Sequence, residues 1–153
     1  MPLKVFKANK DDLVDLFNLA NDPLVRKNSF NKKEITMAEH KHWFGNQIDS
    51  NNSLILIAKK DGKFVGVVKF KLEDENIIGI SIAKYFRGKG LSNSVLTEAI
   101  EYLKKDRPEI KIITALIKEE NIASVKTFEK SGFKFDQKIK VNESPSLKYI
   151  YEI

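Results

Sequence analysis

The chain has 153 residues, 42% of them hydrophobic and 31% charged, and no cysteine. That length and balance predict one soluble globular domain over residues 1–153 and exclude a disordered chain, a collagen and a membrane span. The missing cysteine excludes a disulfide scaffold, a thiol nucleophile and a cysteine-ligated metal, and no metal is expected.

The N-terminal stretch Met1-Pro2-Leu3-Lys4-Val5 lacks the apolar core of a signal peptide, which predicts a cytoplasmic protein. The formal net charge is +6, and the basic residues are 24 lysines with only three arginines, Arg26, Arg87 and Arg107. The lysines are scattered, as on a solvated surface. Scarce arginine speaks against nucleic acid, whose base readout favours the guanidinium fork. A site for a polyanionic ligand stays open.

Leu3–Ala8 alternates apolar and polar residues and predicts a strand. Asp11 and Asp12 suit a helix start, with Leu13, Leu16, Phe17 and Ala20 following at helical spacing. Asn21-Asp22-Pro23 breaks that pattern, and Leu24 to Asn31 is expected to be irregular. Thr36 and Glu39 form a capping box, each side chain reaching the other's free backbone N–H. The helix they open carries His40, Trp43, Phe44, Gln47 and Ile48 on one face.

Ser53–Lys60 and Lys63–Lys71 predict strands joined by Asp61-Gly62, a two-residue hairpin signal. Asn76–Ala83 is a further apolar strand, followed by the glycine loop Arg87-Gly88-Lys89-Gly90 and a helix with Val95, Leu96, Ala99 and Leu103 on one face. Lys111–Ile117 predicts a buried strand, and Asn121 caps a helix to Lys130 that Gly132 closes. Phe133–Val141 and Leu147–Ile153 predict a last strand pair around Asn142-Glu143-Ser144-Pro145. The order predicts an α+β fold: a mixed, mostly antiparallel central sheet of six or seven strands flanked by about four helices.

The chemical signal is strongest from Arg87 to Ser92. A glycine loop that feeds a helix presents unpaired backbone N–H groups and the positive end of the helix dipole, which together make an anion site. Gly88 and Gly90 permit positive φ and close approach, while Arg87 and Lys89 add charge. A plain glycine turn before a helix stays open from the loop alone. No Gly-Lys-Ser/Thr tripeptide occurs, so a Walker loop is excluded. Asn93 stands where a dinucleotide fingerprint needs glycine or alanine.

The stretch Arg87-Gly88-Lys89-Gly90-Leu91-Ser92 resembles the Arg/Gln-x-x-Gly-x-Gly/Ala fingerprint of the GNAT superfamily of acetyl-CoA-dependent N-acetyltransferases, with Ser92 in place of the usual Gly or Ala. Asn121-x-x-Ser124-x-x-x-Phe128-x-x-x-Gly132-Phe133 is similar to the family's last helix and its exit into a strand. The two lie in the family's order, one strand apart.

The resemblance implies that coenzyme A sets its pyrophosphate on the loop and its pantetheine along Asn76–Ala83. Ile80, Ile82, Arg87, Gly88, Lys89, Gly90, Leu91, Ser92, Asn121, Ser124 and Phe128 are then the cofactor-binding residues. Strand alternation puts Ile78, Ile80 and Ile82 on one face and the small Gly79, Ser81 and Ala83 on the other. The small face leaves room for a ligand or for a closely packed helix.

The implied reaction is attack of a primary amine on the acetyl thioester, with the oxyanion held by backbone N–H near Ile82. Many relatives protonate the leaving thiolate with a tyrosine of the last helix. Here that position is Phe128, which has no proton to give and equally suits the core. No carboxylate lies on the strand Lys111–Ile117 where relatives often keep a base. Ser81 acting through water and His40 are the catalytic candidates, with Glu73 and Glu75 behind them.

Asn21 to Phe30 and His40-x-x-Trp43-Phe44 resemble the GNAT branch that acetylates nucleotide-linked amino sugars, and are similar to the branch that acetylates ribosomal-protein N-termini. That resemblance implies Arg26, Ser29 and Trp43 on the acceptor side, with Arg26 clamping a nucleotide phosphate and Trp43 stacking on a base or sugar. Packing for Trp43 and a surface ion pair for Arg26 stay open. The expected partner is a small-molecule amine, with no membrane; a homodimer stays open. The departure at Phe128 keeps a second class open, a non-catalytic acyl-CoA-binding module of the same fold.

Overall fold

The computed structural model describes residues 3–153. Met1 and Pro2, part of the stretch read for a signal peptide, lie outside the described residues. The strands are β1 (Leu3–Lys7), β2 (Ser53–Lys60), β3 (Lys63–Leu72), β4 (Asn76–Ile82), β5 (Ile112–Lys118), β6 (Lys134–Val141) and β7 (Ser144–Glu152). They form one sheet in the order β1-β2-β3-β4-β5-β7-β6. Every neighbouring pair is antiparallel except β4 and β5.

Among the described residues five helices flank the sheet: α1 (Leu13–Ala20), α2 (Pro23–Asn28), α3 (Met37–Ile48), α4 (Leu91–Asp106) and α5 (Ile122–Lys130). The longest has 16 residues, and no helix among the described residues is long and apolar enough to cross a membrane.

The extra helix over the sequence expectation is α2, and its cause is local. The Asp22 side chain accepts hydrogen bonds from the N–H groups of Leu24 and Val25, at 3.0 and 3.4 Å. Pro23 takes the first helical position, where no N–H is missed. Asp-Pro therefore begins a helix as well as ending one. The start of α1 shifts for a similar reason. Asn9 and Asp12 make the capping box, around a 3₁₀ turn at Lys10–Asp12.

At the end of the chain the turn contracts to Asn142 and Glu143, both with positive φ. Ser144 and Pro145 belong to β7, paired with Val141 and Lys140. The Thr36–Glu39 box and the Asp61-Gly62 turn form as expected.

Two cores lie on opposite faces of the sheet. On one, Val95, Leu96, Ala99 and Leu103 of α4 and Phe128 of α5 pack on Leu56, Val68, Phe70, Ile113 and Ala115. On the other, Leu16 and Leu19 of α1 and Phe44 of α3 pack on Ile55, Ile57 and Val67. β2 is apolar at successive positions because both its faces are covered. Each fully buried side chain of this size contributes about 1.5–3 kcal/mol.

A register shift after Ala58 brings Gly66 against β4, opposite Ile82. A methyl group on Gly66 would collide with the Ser81 carbonyl oxygen and come within 3.2 Å of the Ile82 Cα. Replacing Gly66 with Ala therefore forces backbone apart. The expected loss is about 1–3 kcal/mol, read as a fall of roughly 2–12 °C in melting temperature for a domain of this size. An unchanged melting temperature would show that β4 shifts freely at Ser81.

Candidate active site

β4 and β5 pair at only two register positions, Ile77 with Thr114 and Ile78 with Ala115. Beyond them the strands part around a cleft of about 410 Å³. Ile78 to Ile82 of β4 form one wall and Leu116, Ile117 and Lys118 of β5 another. Arg87 and Ser92 close it from the α4 end, and Asn121, Ser124, Thr127 and Phe128 from α5. Leu24, Val25, Asn28, Ser29 and Phe30, with Val67 and Lys69 of β3, form the remaining side.

Backbone donors face this space. The Ala83 N–H bonds the Val65 carbonyl of β3, at 2.8 Å. Strand alternation then turns the N–H groups of Ile80 and Ile82 toward the cleft, past the last β5 pair. Their side chains pack toward the α4–α5 core, while Gly79 and Ser81 face α1–α3 across from Lys69 and Val67.

At the α4 entrance, Gly88 and Gly90 both hold φ near +72°. Gly90 precedes the helix without a side-chain cap, and the first turn carries no acidic residue. The leading N–H groups of α4 are thus uncapped by the chain. Ser92 sits inside the first turn and lines the cleft. Gly88, Lys89 and Gly90 form the loop that leads into α4, whose first residue is Leu91; unlike Arg87 and Ser92, none of these four expected residues lines the cleft itself. Lys89 folds back over the Tyr85 ring, with Nζ 4.2 Å from its centre.

Arg87 ties the loop to the other half of the site. Its Nε donates to the Ile82 carbonyl and its second terminal nitrogen to Asp22 Oδ1, both at 2.9 Å. Burial pushes the Asp22 carboxyl up, but the hydrogen bond and charge of Arg87 and the amides of Leu24 and Val25 together hold it below its ordinary value.

On α5, Asn121 Oδ1 accepts from the Ser124 N–H and caps the helix. Asn93 Nδ2 donates to the Thr127 carbonyl and Ser131 Oγ, joining α4 to α5. Phe128 is 3% exposed, lines the cleft and meets Phe133 edge-on at 4.9 Å. Tyr149 offers no replacement for its missing hydroxyl. That hydroxyl donates to Glu129 Oε2 at 2.8 Å, and burial with the Glu129 charge pushes its pKa up to about 12.

Three sequence expectations need correction. His40 is 3% exposed and stacks on Phe44 rather than lining the cleft. Its Nε2 lies 3.0 Å from the Leu13 carbonyl, and burial lowers its pKa. Arg26 does not offer a free fork to a phosphate. Its nitrogens donate to the carbonyls of Ala20, Asn31 and Lys33 and to Ser29 Oγ. Trp43 packs beside the α1–α3 core, and the cation over its ring is Lys69, with Nζ at 4.7 Å.

Ser29 does line the cleft, donating to the Val25 carbonyl at 2.6 Å. Glu73 and Glu75 sit exposed at the β3–β4 turn, paired with Lys71 and Lys148.

Sequence reasoning missed Lys69 and Lys118. Burial and the charge of Arg26 push Lys69 down to about 8. Burial also lowers Lys118, whose Nζ donates to the Lys27 carbonyl at 3.0 Å. Among the described residues no group of three or more His, Asp or Glu could hold a metal.

The family model for the acetyltransferase (GNAT) domain matches residues 3–134. Spermidine N-acetyltransferase from Vibrio cholerae, in complex with CoA and spermine, superposes with a TM-score of 0.87 at 17% identity, covering 98% of this chain and 95% of its own. The aminoglycoside acetyltransferase AAC(6')-Ib, in complex with ribostamycin and coenzyme A, gives 0.84 at 16% identity over 99% and 94%. Ribosomal-protein-alanine N-acetyltransferase from Brucella melitensis gives 0.82 at 19% identity over 97% and 99%. Identities this low carry the fold alone. A comparison with curated proteins finds no match. The family model, matched over most of the chain, shows that the chain belongs to the GNAT acetyltransferase family.

Proposed function

We propose that the chain transfers the acetyl group of acetyl-CoA to the primary amine of a small acceptor, by direct attack in a ternary complex. The observation that carries this reading is the cleft where β4 leaves β5, with an uncapped helix N-terminus at one end and α2 at the other. The pyrophosphate fits the N–H groups that follow Gly90. The pantetheine amides fit the free edge of β4, like an added strand.

The neutral amine attacks the thioester carbonyl, forming a C–N bond. In this reading the N–H groups of Ile80 and Ile82 hold the oxyanion. The amine's proton passes to water, which Ser81 can orient from the cleft wall. The C–S bond then breaks, and the thiolate takes its proton from water. The hydroxyls of Ser92 and Ser124 line the same cleft. His40 is left out because its ring lies in the core.

A nucleotide on the acceptor is not part of the proposal, since Arg26 is engaged by its own loop. One observation favours a second reading, an acyl-CoA-binding module without turnover: Phe128 supplies no proton at the thiolate's expected position.

Acetyl-CoA at a hundred times its Kd should stabilise the fold by about 2.7 kcal/mol, raising the melting temperature roughly 5–11 °C. Gly90→Val should abolish the shift, because valine is strained at φ +72° and its branches fill the phosphate approach. No shift at millimolar acetyl-CoA would contradict the reading.

Steady-state kinetics of Phe128→Tyr test the thiolate step. A hydroxyl on this cleft-lining ring should raise kcat by part of the ~10²–10⁴-fold range of general acid catalysis. A lower kcat with an unchanged melting temperature would show that the ring does not face the sulfur.

A further inference from the structure

Acetyl transfer as proposed leaves the most unusual charge of the cleft without a role. Lys69 stands on β3 opposite Gly79 and lines the cleft from the face that α1–α3 cover. Among the described residues it makes no ion pair. Among the described residues no side-chain nitrogen or oxygen sealed from solvent lacks a hydrogen-bond partner, so this unpaired ammonium opens onto the cleft that Lys69 lines. The Trp43 ring supports it from one side, with Nζ 4.7 Å from the ring centre.

Every charge that bears on Lys69 has its own sign. Arg26 of α2 acts on it directly, and Lys118 of β5 lines the same cleft. Arg87 and Asp22 neutralise each other at 2.9 Å. No aspartate or glutamate is among the residues that line the cleft. Such a field repels a polyamine and attracts an anion.

We infer that the acceptor is an amine that also carries an acidic group, a carboxylate or a phosphate, and that Lys69 receives that group. The inference rests on the acetyl-transfer reading above. Lys69 lies opposite Gly79, three residues before the end of β4 at Ile82, which is about 10 Å along the strand. Its anion is therefore distinct from the coenzyme phosphates at the α4 loop. Burial and Arg26 push Lys69 down to about 8. An anion beside it would hold it protonated and complete its hydrogen bonds.

The test compares kcat/KM at saturating acetyl-CoA for two matched pairs, glucosamine 6-phosphate with glucosamine and β-alanine with β-alaninamide, and for spermidine. Wild type should prefer the anionic member of at least one pair by about 10- to 150-fold, and the pair that responds separates phosphate from carboxylate. Lys69→Met, close in size and free of charge, should bring that ratio toward one without changing the KM of acetyl-CoA. Lys69→Arg should keep part of the preference.

The inference is overturned if wild type prefers the neutral members or spermidine. It is also overturned if Lys69→Met lowers both members of a pair equally, the outcome for a lysine acting as base. If no amine is acetylated, calorimetric binding of glucosamine 6-phosphate and β-alanine to the CoA complex decides. Binding lost in Lys69→Met keeps the anion site and removes the acetyl-transfer reading, whereas no binding removes the inference.

Discussion

β4 and β5 share only the pairings Ile77 with Thr114 and Ile78 with Ala115, and the rest of the site depends on where that pairing stops. Parallel neighbours require a crossover, here α4. The crossover must start where β4 ends, so the glycine loop and the uncapped end of α4 arrive beside the free edge of the strand. The sequence of β4 suits both tasks. Ile78, Ile80 and Ile82 hold the strand against α4, while Gly79 and Ser81 leave the opposite face low. Gly66 lets β3 approach the Ser81–Ile82 peptide, fixing the height at which the N–H groups of Ile80 and Ile82 stand.

One carboxylate joins the two halves of the cleft. Asp22 caps α2 through the N–H groups of Leu24 and Val25, and pairs with Arg87 from the glycine loop before α4. The pair is mostly covered, with side-chain exposures of 24% for Arg87 and 15% for Asp22. It is screened less than an exposed ion pair, and its geometry is that of a charge-assisted hydrogen bond. Position and charge are linked through it. Arg87 holds the Ile82 carbonyl at the end of β4, and its charge is cancelled before it reaches the cleft. The positive field on the α2–β3 side of the cleft is then left to Lys69 and Lys118, with Arg26 behind them.

Local chemistry was legible in the sequence. The Thr36–Glu39 box, the Asp61-Gly62 turn, the Gly88–Gly90 loop and the alternation of β4 each depend on residues a few positions apart, and each forms as expected. Facts set by the path of an irregular loop or by contacts between distant elements were not legible. Arg26 looked available because nothing in its neighbourhood announces that the carbonyls of Asn31 and Lys33 curl back onto it. His40 lies on the expected helix face, but that face packs on the Leu13 carbonyl and Phe17. Lys69 and Lys71 alternate with Phe70 and Leu72 and read as the wet side of a strand. Only the arrival of α2 and α3 over that side turns Lys69 into a wall of the cleft. Asp22-Pro23 has both meanings, helix end and helix start, and the structure uses both.

The central claim is that the free edge of β4 receives the coenzyme. Amide hydrogen exchange, resolved by residue with and without saturating acetyl-CoA, tests it most directly. The account predicts that the N–H groups of Ile80 and Ile82 and those of the first turn of α4 become protected, while β2 and β7 hardly change. Protection elsewhere, with Ile80 and Ile82 exchanging as fast as in the free protein, would contradict it.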